Sequence, residues 1–207
     1  ALVFLLSSGS AFAQKQMAGE IVYSQLTGEF WQIWAMDLET KQARQLTDGP
    51  ADKRSPQCTA DGTQLLYRTA NAELFLRDLR NLQQPPRQIL TNLGTIMDQQ
   101  WSADQQKILF TRMRSDLLDD SDIWQTDLAG EAITELTNLP ALQYQAQFLG
   151  KKDILFVSQD TRSQGHNLWR KKTDSAAEPL PLTKGPFYDV FPDAPAKARV
   201  EIRQRFI

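Results

Sequence analysis

The chain holds few side chains able to do acid–base, nucleophilic or metal chemistry, and their spacing narrows the choices. His166 is the only histidine and sits in the turn-rich stretch Ser163-Gln164-Gly165-His166-Asn167, which predicts a solvated loop residue. Nucleophilic hydrolysis needs a serine or cysteine with a base and an acid brought to it, and no Gly-x-Ser-x-Gly elbow occurs. Cys58 is the only cysteine, which rules out an internal disulfide, a CxxC redox pair and a zinc site built from several Cys and His. Its place in a predicted strand makes it a small buried hydrophobe. The densest acidic cluster is Asp116-Leu117-Leu118-Asp119-Asp120-Ser121-Asp122. Hard cations take several carboxylate oxygens, but this spacing does not match the Asp-x-Asp-x-Asp-Gly loop. A solvated, self-repelling loop tip is expected there, with a cation or partner contact at 116–122 as the alternative. The sequence therefore assigns no catalytic residue, no metal ligand, no cofactor and no specific binding residue.

Composition narrows the classes further. The formal net charge is -2 and the pI near 5.5, with lysines and arginines scattered, so no basic field for nucleic acid exists. The opening Ala1-Leu2-Val3-Phe4-Leu5-Leu6, then Ser7 to Ser10 and Ala11-Phe12-Ala13, reads as the apolar core and small-x-small cleavage site of a partial signal peptide over 1–13. It is shorter than the roughly 20 apolar residues of a membrane span. A periplasmic or secreted location is expected.

What must position any site is a repeat. Leu-Thr returns at Leu46-Thr47, Leu90-Thr91, Leu136-Thr137 and Leu182-Thr183, spaced 44, 46 and 46 residues apart. Upstream of each lies an apolar triplet ending in an aromatic: Ile21-Val22-Tyr23, Leu65-Leu66-Tyr67, Ile108-Leu109-Phe110 and Ile154-Leu155-Phe156. Between them sits an aliphatic–aromatic pair, Ile33-Trp34, Leu74-Phe75, Ile123-Trp124 or Leu168-Trp169. Asp37, Asp78 and Asp127 follow the first three pairs at a fixed offset, and Asp174 is the nearest match in the fourth. The segments are short, rich in β-branched and aromatic residues, and bounded by turn residues rather than helix caps. A period of 40–50 residues built this way predicts an all-β chain, a β-propeller of about four four-stranded antiparallel blades over 20–192.

Each unit reads as strands A to D: A near Pro56, Asp98 or Tyr144, B at the triplets, C at the aliphatic–aromatic pairs and D at Leu-Thr. Asp61-Gly62 supplies the A–B turn in one unit, and Gln105 must make a costlier or different turn in the next. The three Asp residues that close strand C are expected to bond their own downstream backbone. Trp34, Phe75, Trp124 and Trp169 are expected to pack between blades, and Trp31, outside the repeat, is the aromatic better placed for ligand stacking. The first unit lacks strand A, while Tyr188 to Pro192 is an A-like segment after the last unit. Two architectures follow: a closed four-blade ring in which Tyr188 to Pro192 pairs beside Ile21 to Ser24, or an open arc of a propeller with six or more blades. In the second, residues 193–207 form a tail or the start of a next blade, with Ala198 to Ile202 as a degraded B strand.

Cys58-Thr59-Ala60-Asp61-Gly62, Trp101-Ser102-Ala103-Asp104, Asp122-Ile123-Trp124-Gln125-Thr126-Asp127 and the Leu-Thr segments resemble the PD40, or WD40-like, repeats of the TolB-like propeller family. The sequence departs from that pattern at Ala60 and Ala103, where the family prefers Pro, and lacks the α/β domain that precedes the propeller in TolB. The resemblance implies part of a propeller that acts outside the cytoplasm without catalysis and binds a protein or other component of the cell envelope. Specificity would then reside in the loops Leu26 to Trp31, Ser115 to Ser121 and Gln159 to Asn167. The alternative is the propeller portion of a prolyl-oligopeptidase-type hydrolase or of a sugar lyase.

Overall fold

The computed structural model describes residues 19–114, 119–160, 165–193 and 201–206, so the signal-peptide segment 1–13 lies outside the described residues. Among the described residues the chain is all β, and no helix is long and apolar enough to cross a membrane. A three-stranded first blade comprises β1 (Glu20–Thr27), β2 (Phe30–Asp37) and β3 (Ala43–Gln45). The second blade is β4 (Lys53–Cys58), β5 (Gln64–Thr69), β6 (Leu74–Asp78) and β7 (Arg87–Leu90). The third is β8 (Ile96–Trp101), β9 (Lys107–Met113), β10 (Ser121–Asp127) and β11 (Thr134–Glu135). The fourth is β12 (Gln143–Leu149), β13 (Asp153–Asp160), β14 (Gly165–Lys172) and β15 (Leu180–Pro181). Strands β16 (Tyr188–Asp193) and β17 (Glu201–Phe206) follow. Within each blade, sequence neighbours pair antiparallel.

In the second, third and fourth blades the apolar triplets are continuous rather than alternating because the second strand is covered on both faces. Leu65 and Tyr67 pack backward with Ile33, Ala35 and Leu46 of the first blade, while Leu66 packs forward with Ile96, Ile108 and Phe110 of the third. Ile154 and Phe156 meet Leu109, Ile123 and Leu136 in the same manner. Phe75, Trp124 and Trp169 lie against these inter-blade clusters, as their equivalent spacing predicts.

The Leu-Thr signature has a hydrogen-bonding reason. The carbonyl of Ile33 accepts from both Leu46 N–H (2.8 Å) and Thr47 N–H (3.3 Å), and the Thr47 hydroxyl accepts from Ile33 N–H at 2.8 Å. Leu136-Thr137 does the same with Ile123, and Leu182-Thr183 with Leu168. The threonine hydroxyl thus fastens the end of the outer strand to the third strand where the ladder stops. The A–B turn is also a repeated device: Thr59 donates to the Asp61 carboxylate and Ser102 to Asp104, both at 2.6 Å. Gln105 keeps this turn at φ +58°, matching Gly62 at +69°, so the second copy uses the costlier version of the same turn. Asp37, Asp78 and Asp127 accept from backbone N–H groups two to five residues downstream. Those bonds hold the Asp37 and Asp127 carboxyls below their usual range, and Arg80 brings Asp78 to about 2. Asp174 instead pairs with Lys152 at 2.9 Å.

Pairing at the two ends differs from the shared-blade reading. Strand β16 joins β14 through a parallel bridge at His166 and Tyr188 and pairs antiparallel with β17. The tail carries a strand over Glu201–Phe206, and the part of the expected Ala198 to Ile202 segment before Glu201 lies outside the described residues. Among the described residues β1 pairs with β2 alone, so Tyr188 to Pro192 does not lie beside Ile21 to Ser24.

Candidate functional site

The first strands of successive blades lie against one another, β4 on β8, β8 on β12 and β12 on β16, which makes them the innermost strands of the arc. Each carries one non-glycine residue in the left-handed region: Ser55 (φ +54°), Asp98 (+51°), Gln145 (+52°) and Phe191 (+53°). In β4, β8 and β12 these residues sit at a bulge, where two residues oppose one on the partner strand. Bulges re-aim side chains, and backbone strain held at equivalent places marks where function is sought.

The re-aimed groups converge on a cavity of about 270 Å³ lined by Gln57, Asp98, Gln99, Gln100, Gln145, Gln147 and Phe191. They are cross-bonded between blades. Gln57 Nε2 donates to the Gln99 carbonyl (2.8 Å) and to Gln100 Oε1 (2.9 Å), and Gln99 Nε2 donates back to the Ser55 carbonyl. Gln145 N–H donates to Asp98 Oδ2 (3.2 Å), and Phe191 N–H to Gln145 Oε1 (2.7 Å). Gln99 is only 3% exposed, and among the described residues neither its Oε1 nor that of Gln57 meets a donor. A buried acceptor without a donor costs about 1–3 kcal/mol, so these oxygens favour a ligand carrying N–H or O–H groups.

Beside the cavity stands an aromatic–imidazole group. The Tyr144 hydroxyl and His166 Nδ1 are 2.7 Å apart, and the His166 ring stacks on Tyr188 with centroids 4.6 Å apart. Burial pushes the Tyr144 phenol up to about 12, with smaller contributions from Asp98 and Tyr188, and burial holds the His166 imidazole below its ordinary value. The solvated-loop reading of His166 is therefore corrected. The residue belongs to β14, where the flanking Gly165 supplies a close backbone approach to Gly185 rather than a turn.

The acidic segment is corrected at its last residue. Residues 115–118 lie outside the described residues, but Asp122 is fully buried in β10, paired with Arg114 and accepting from the Thr137 hydroxyl at 2.9 Å. Burial raises its carboxyl above the usual range. Arg114 also reaches Glu135 and Asn138, so Asp122 ties a strand end, whereas Asp119 is exposed. Cys58 ends β4 half-buried against the first inter-blade cluster, and burial raises its thiol. Trp31 is exposed beneath the Arg54 guanidinium, 5.2 Å from its ring centroid. None of the three loops expected to carry specificity contributes a described residue to the cavity lining. The left-handed positions recur at intervals of 43, 47 and 46 residues, and the glutamines near the first three were the readable signal.

No protein-family model and no curated protein matches the chain. Solved structures do. TolB from Acinetobacter baumannii superposes with a TM-score of 0.63 at 19% identity, covering 79% of this chain and 40% of that one. The fold is that of the TolB-like β-propellers. An oligogalacturonate lyase from Vibrio parahaemolyticus matches with a TM-score of 0.64 at 13% identity, covering 78% of this chain and 48% of that chain. The acylaminoacyl peptidase of Pyrococcus horikoshii gives 0.56 at 16% identity, covering 83% and 31% respectively. The chain thus spans less than half the length of these three structures, and the TolB-like fold is common to a lyase and a peptidase.

Proposed function

We propose that this TolB-like propeller acts outside the cytoplasm without catalysis and binds a protein of the cell envelope through the axial amide cavity. The observation that carries the reading is the array of Gln57, Gln99, Gln100 and Gln145 on bulged inner strands, with two amide oxygens that meet no donor among the described residues. Carboxamides of this kind match the N–H and C=O groups of a polypeptide better than they match a reaction needing proton transfer. The small-x-small segment Ala11-Phe12-Ala13 supports export, and the likeness to TolB supports an envelope setting.

The test is a comparative capture from an envelope extract, using the chain, a Gln99→Leu variant and a control altered at the outer-strand Arg44. A protein retained by the chain and by the control but lost with Gln99→Leu supports axial binding. Equal retention by all three, or turnover of a peptide or uronide substrate by the chain, overturns it.

A further inference from the structure

The connection between the second and third strands of a blade differs in length along the chain. From the aromatic that ends the triplet to the aliphatic residue of the following pair it spans 10 residues in the first unit (Tyr23 to Ile33), 13 in the third (Phe110 to Ile123) and 12 in the fourth (Phe156 to Leu168), but 7 in the second (Tyr67 to Leu74). The second hairpin therefore turns early. Its last ladder pair is Arg68 with Leu74, and Thr69 N–H donates to the Glu73 carbonyl around the turn, with Ala72 at φ +61°. In the first blade the equivalent ladder runs on for three further pairs, to Thr27 with Phe30. The space beside the short hairpin is a cavity of about 790 Å³ lined by Arg68, Asn71, Glu73, Gln88, Asn92 and Thr95. It lies between the hairpin and the loop that leads into the third blade, and it shares no lining residue with the axial amide cavity.

Glu73 sets the chemistry of this wall. It stands immediately before Leu74, the place that Asp122 holds before Ile123 in the third unit. Both carboxylates accept from neutral side chains: Asp122 from the Thr137 hydroxyl at 2.9 Å, Glu73 from the Thr69 hydroxyl at 2.9 Å and from Gln88 Nε2 at 3.1 Å. They differ in their cation. Arg114, four residues past Phe110, pairs with Asp122, whereas the residue four past Tyr67 is the uncharged Asn71. Among the described residues no Lys or Arg forms an ion pair with Glu73. Arg68, in the same lining, donates instead to the Ile96 carbonyl at 2.9 Å and to Ser55 Oγ at 3.4 Å. A half-buried carboxylate is less screened by water than an exposed one, so a cation brought to it from outside is held more strongly.

We propose that this cavity binds a guanidinium group, which takes the place beside Glu73 that Arg114 takes beside Asp122. A guanidinium presents five N–H donors in one plane and pairs with a carboxylate through two of them. The remaining donors need acceptors, and the amide oxygens of Asn71 and Asn92 and the Thr95 hydroxyl belong to the same lining. The third unit shows this division: Arg114 reaches the Asn138 amide oxygen at 2.8 Å as well as the carboxylates of Asp122 and Glu135. A lysine ammonium, with three donors on one atom, matches such a spread of acceptors less well. An arginine side chain of a polypeptide and a free guanidino compound share the chemistry required.

Amide NMR spectra of the isotope-labelled full chain, titrated with N-acetyl-arginine methylamide to about 20 mM, test the site, since one charge-assisted pair supports a dissociation constant on the order of 1 mM. Saturable shifts at Glu73, Gln88, Asn92 and Thr95 are expected, with the neutral citrulline analogue at least about tenfold weaker. Glu73→Gln keeps an acceptor for Thr69 and removes the charge, so it should weaken the arginine compound by about tenfold. Asn71→Arg should abolish binding by supplying the guanidinium from within the chain. Asn71 is exposed and Glu73 half-buried in the same turn, so both variants should keep the circular dichroism of the parent. A pentapeptide with arginine at its centre separates the sources. Binding at least as tight as that of the blocked amino acid supports a polypeptide ligand, and loss of binding supports a free guanidino compound. No saturable shift in the parent, an equal response to the citrulline analogue, or parental binding in Glu73→Gln or Asn71→Arg overturns the proposal.

Discussion

Replacing Thr47 by Val changes one hydroxyl to a methyl at nearly constant volume, and so isolates the role of threonine in the Leu-Thr repeat. Thr47 is 3% exposed; its hydroxyl accepts from Ile33 N–H at 2.8 Å and donates to Gln32 Oε1 at 2.9 Å. Ile33 is fully buried, so its N–H would find no water in compensation. Leaving a buried donor unsatisfied costs about 1–3 kcal/mol, and the gain from burying a methyl recovers only part of that. A net loss of about 2 kcal/mol is expected, equivalent to roughly 4–8 °C in Tm for a domain of this size. Thr137→Val should match it, because the Thr137 hydroxyl bonds Ile123 N–H and Asp122 in the same geometry. Thr91 is the control. It holds the same place in the second unit but is exposed, and there Leu90 pairs directly with Leu74 in the strand ladder. Thr91→Val should lie within about 0.5 kcal/mol of the parent, as surface substitutions do. Urea and thermal unfolding of the three variants decide the matter, and equal midpoints for Thr47→Val and Thr91→Val would refute the reasoning.

Trp124→Ala should lower stability by about 3–5 kcal/mol, since the ring packs on the cluster joining the second and third blades beneath the Arg112 guanidinium; an unchanged urea midpoint contradicts that packing. His166 should make stability depend on pH. Its folded value is depressed below 6.5, so its contribution is complete above 6.5 and is lost as pH falls through that value toward the folded one. A His166→Gln chain should lose this slope between pH 7 and 5, as read by denaturant titration at each pH.

The blades were legible because burial on both faces leaves its mark in composition: a strand covered from two sides cannot alternate, so the triplets stand out at any register. The site was less legible, for reasons specific to its residues. Ser55, Asp98, Gln145 and Phe191 share a backbone conformation that no residue type announces, and only their period connects them. His166 and Asp122 were misread because their neighbours have turn-like or acidic composition, although each lies one or two residues before an aliphatic–aromatic pair. In three of the four units the residue immediately before that pair is Gln32, Asp122 or Asn167, 3%, 0% and 2% exposed, and in the second unit it is the half-buried Glu73. Gln32 and Asp122 accept from the threonine of Leu-Thr, and Gln32 and Asn167 both donate to a glycine carbonyl beyond it. A buried polar side chain was therefore part of the repeat, and alignment of the units at that position reveals it.

Left-handed backbone at non-glycine residues occurs for two different reasons in this chain, and glycine substitution separates them. Gln105 adopts φ +58° in a turn where Gly62 serves in the preceding unit, and the geometry gives its side chain no task there. Gln105→Gly relieves about 1–2 kcal/mol of steric cost against about 0.5–1 kcal/mol of extra chain entropy, so it should stabilise by roughly 0.5–1 kcal/mol. Asp98 adopts nearly the same φ, +51°, but its carboxylate accepts from Gln145 N–H of the next blade. Hydrogen bonds to charged groups contribute about 1.5–3 kcal/mol, more than the net relief, so Asp98→Gly should destabilise by about 1 kcal/mol. Opposite signs at matched φ would show that the inner strands hold their strain because a side chain must cap the following blade. Equal stabilisation by both substitutions would show that the inter-blade bond contributes nothing.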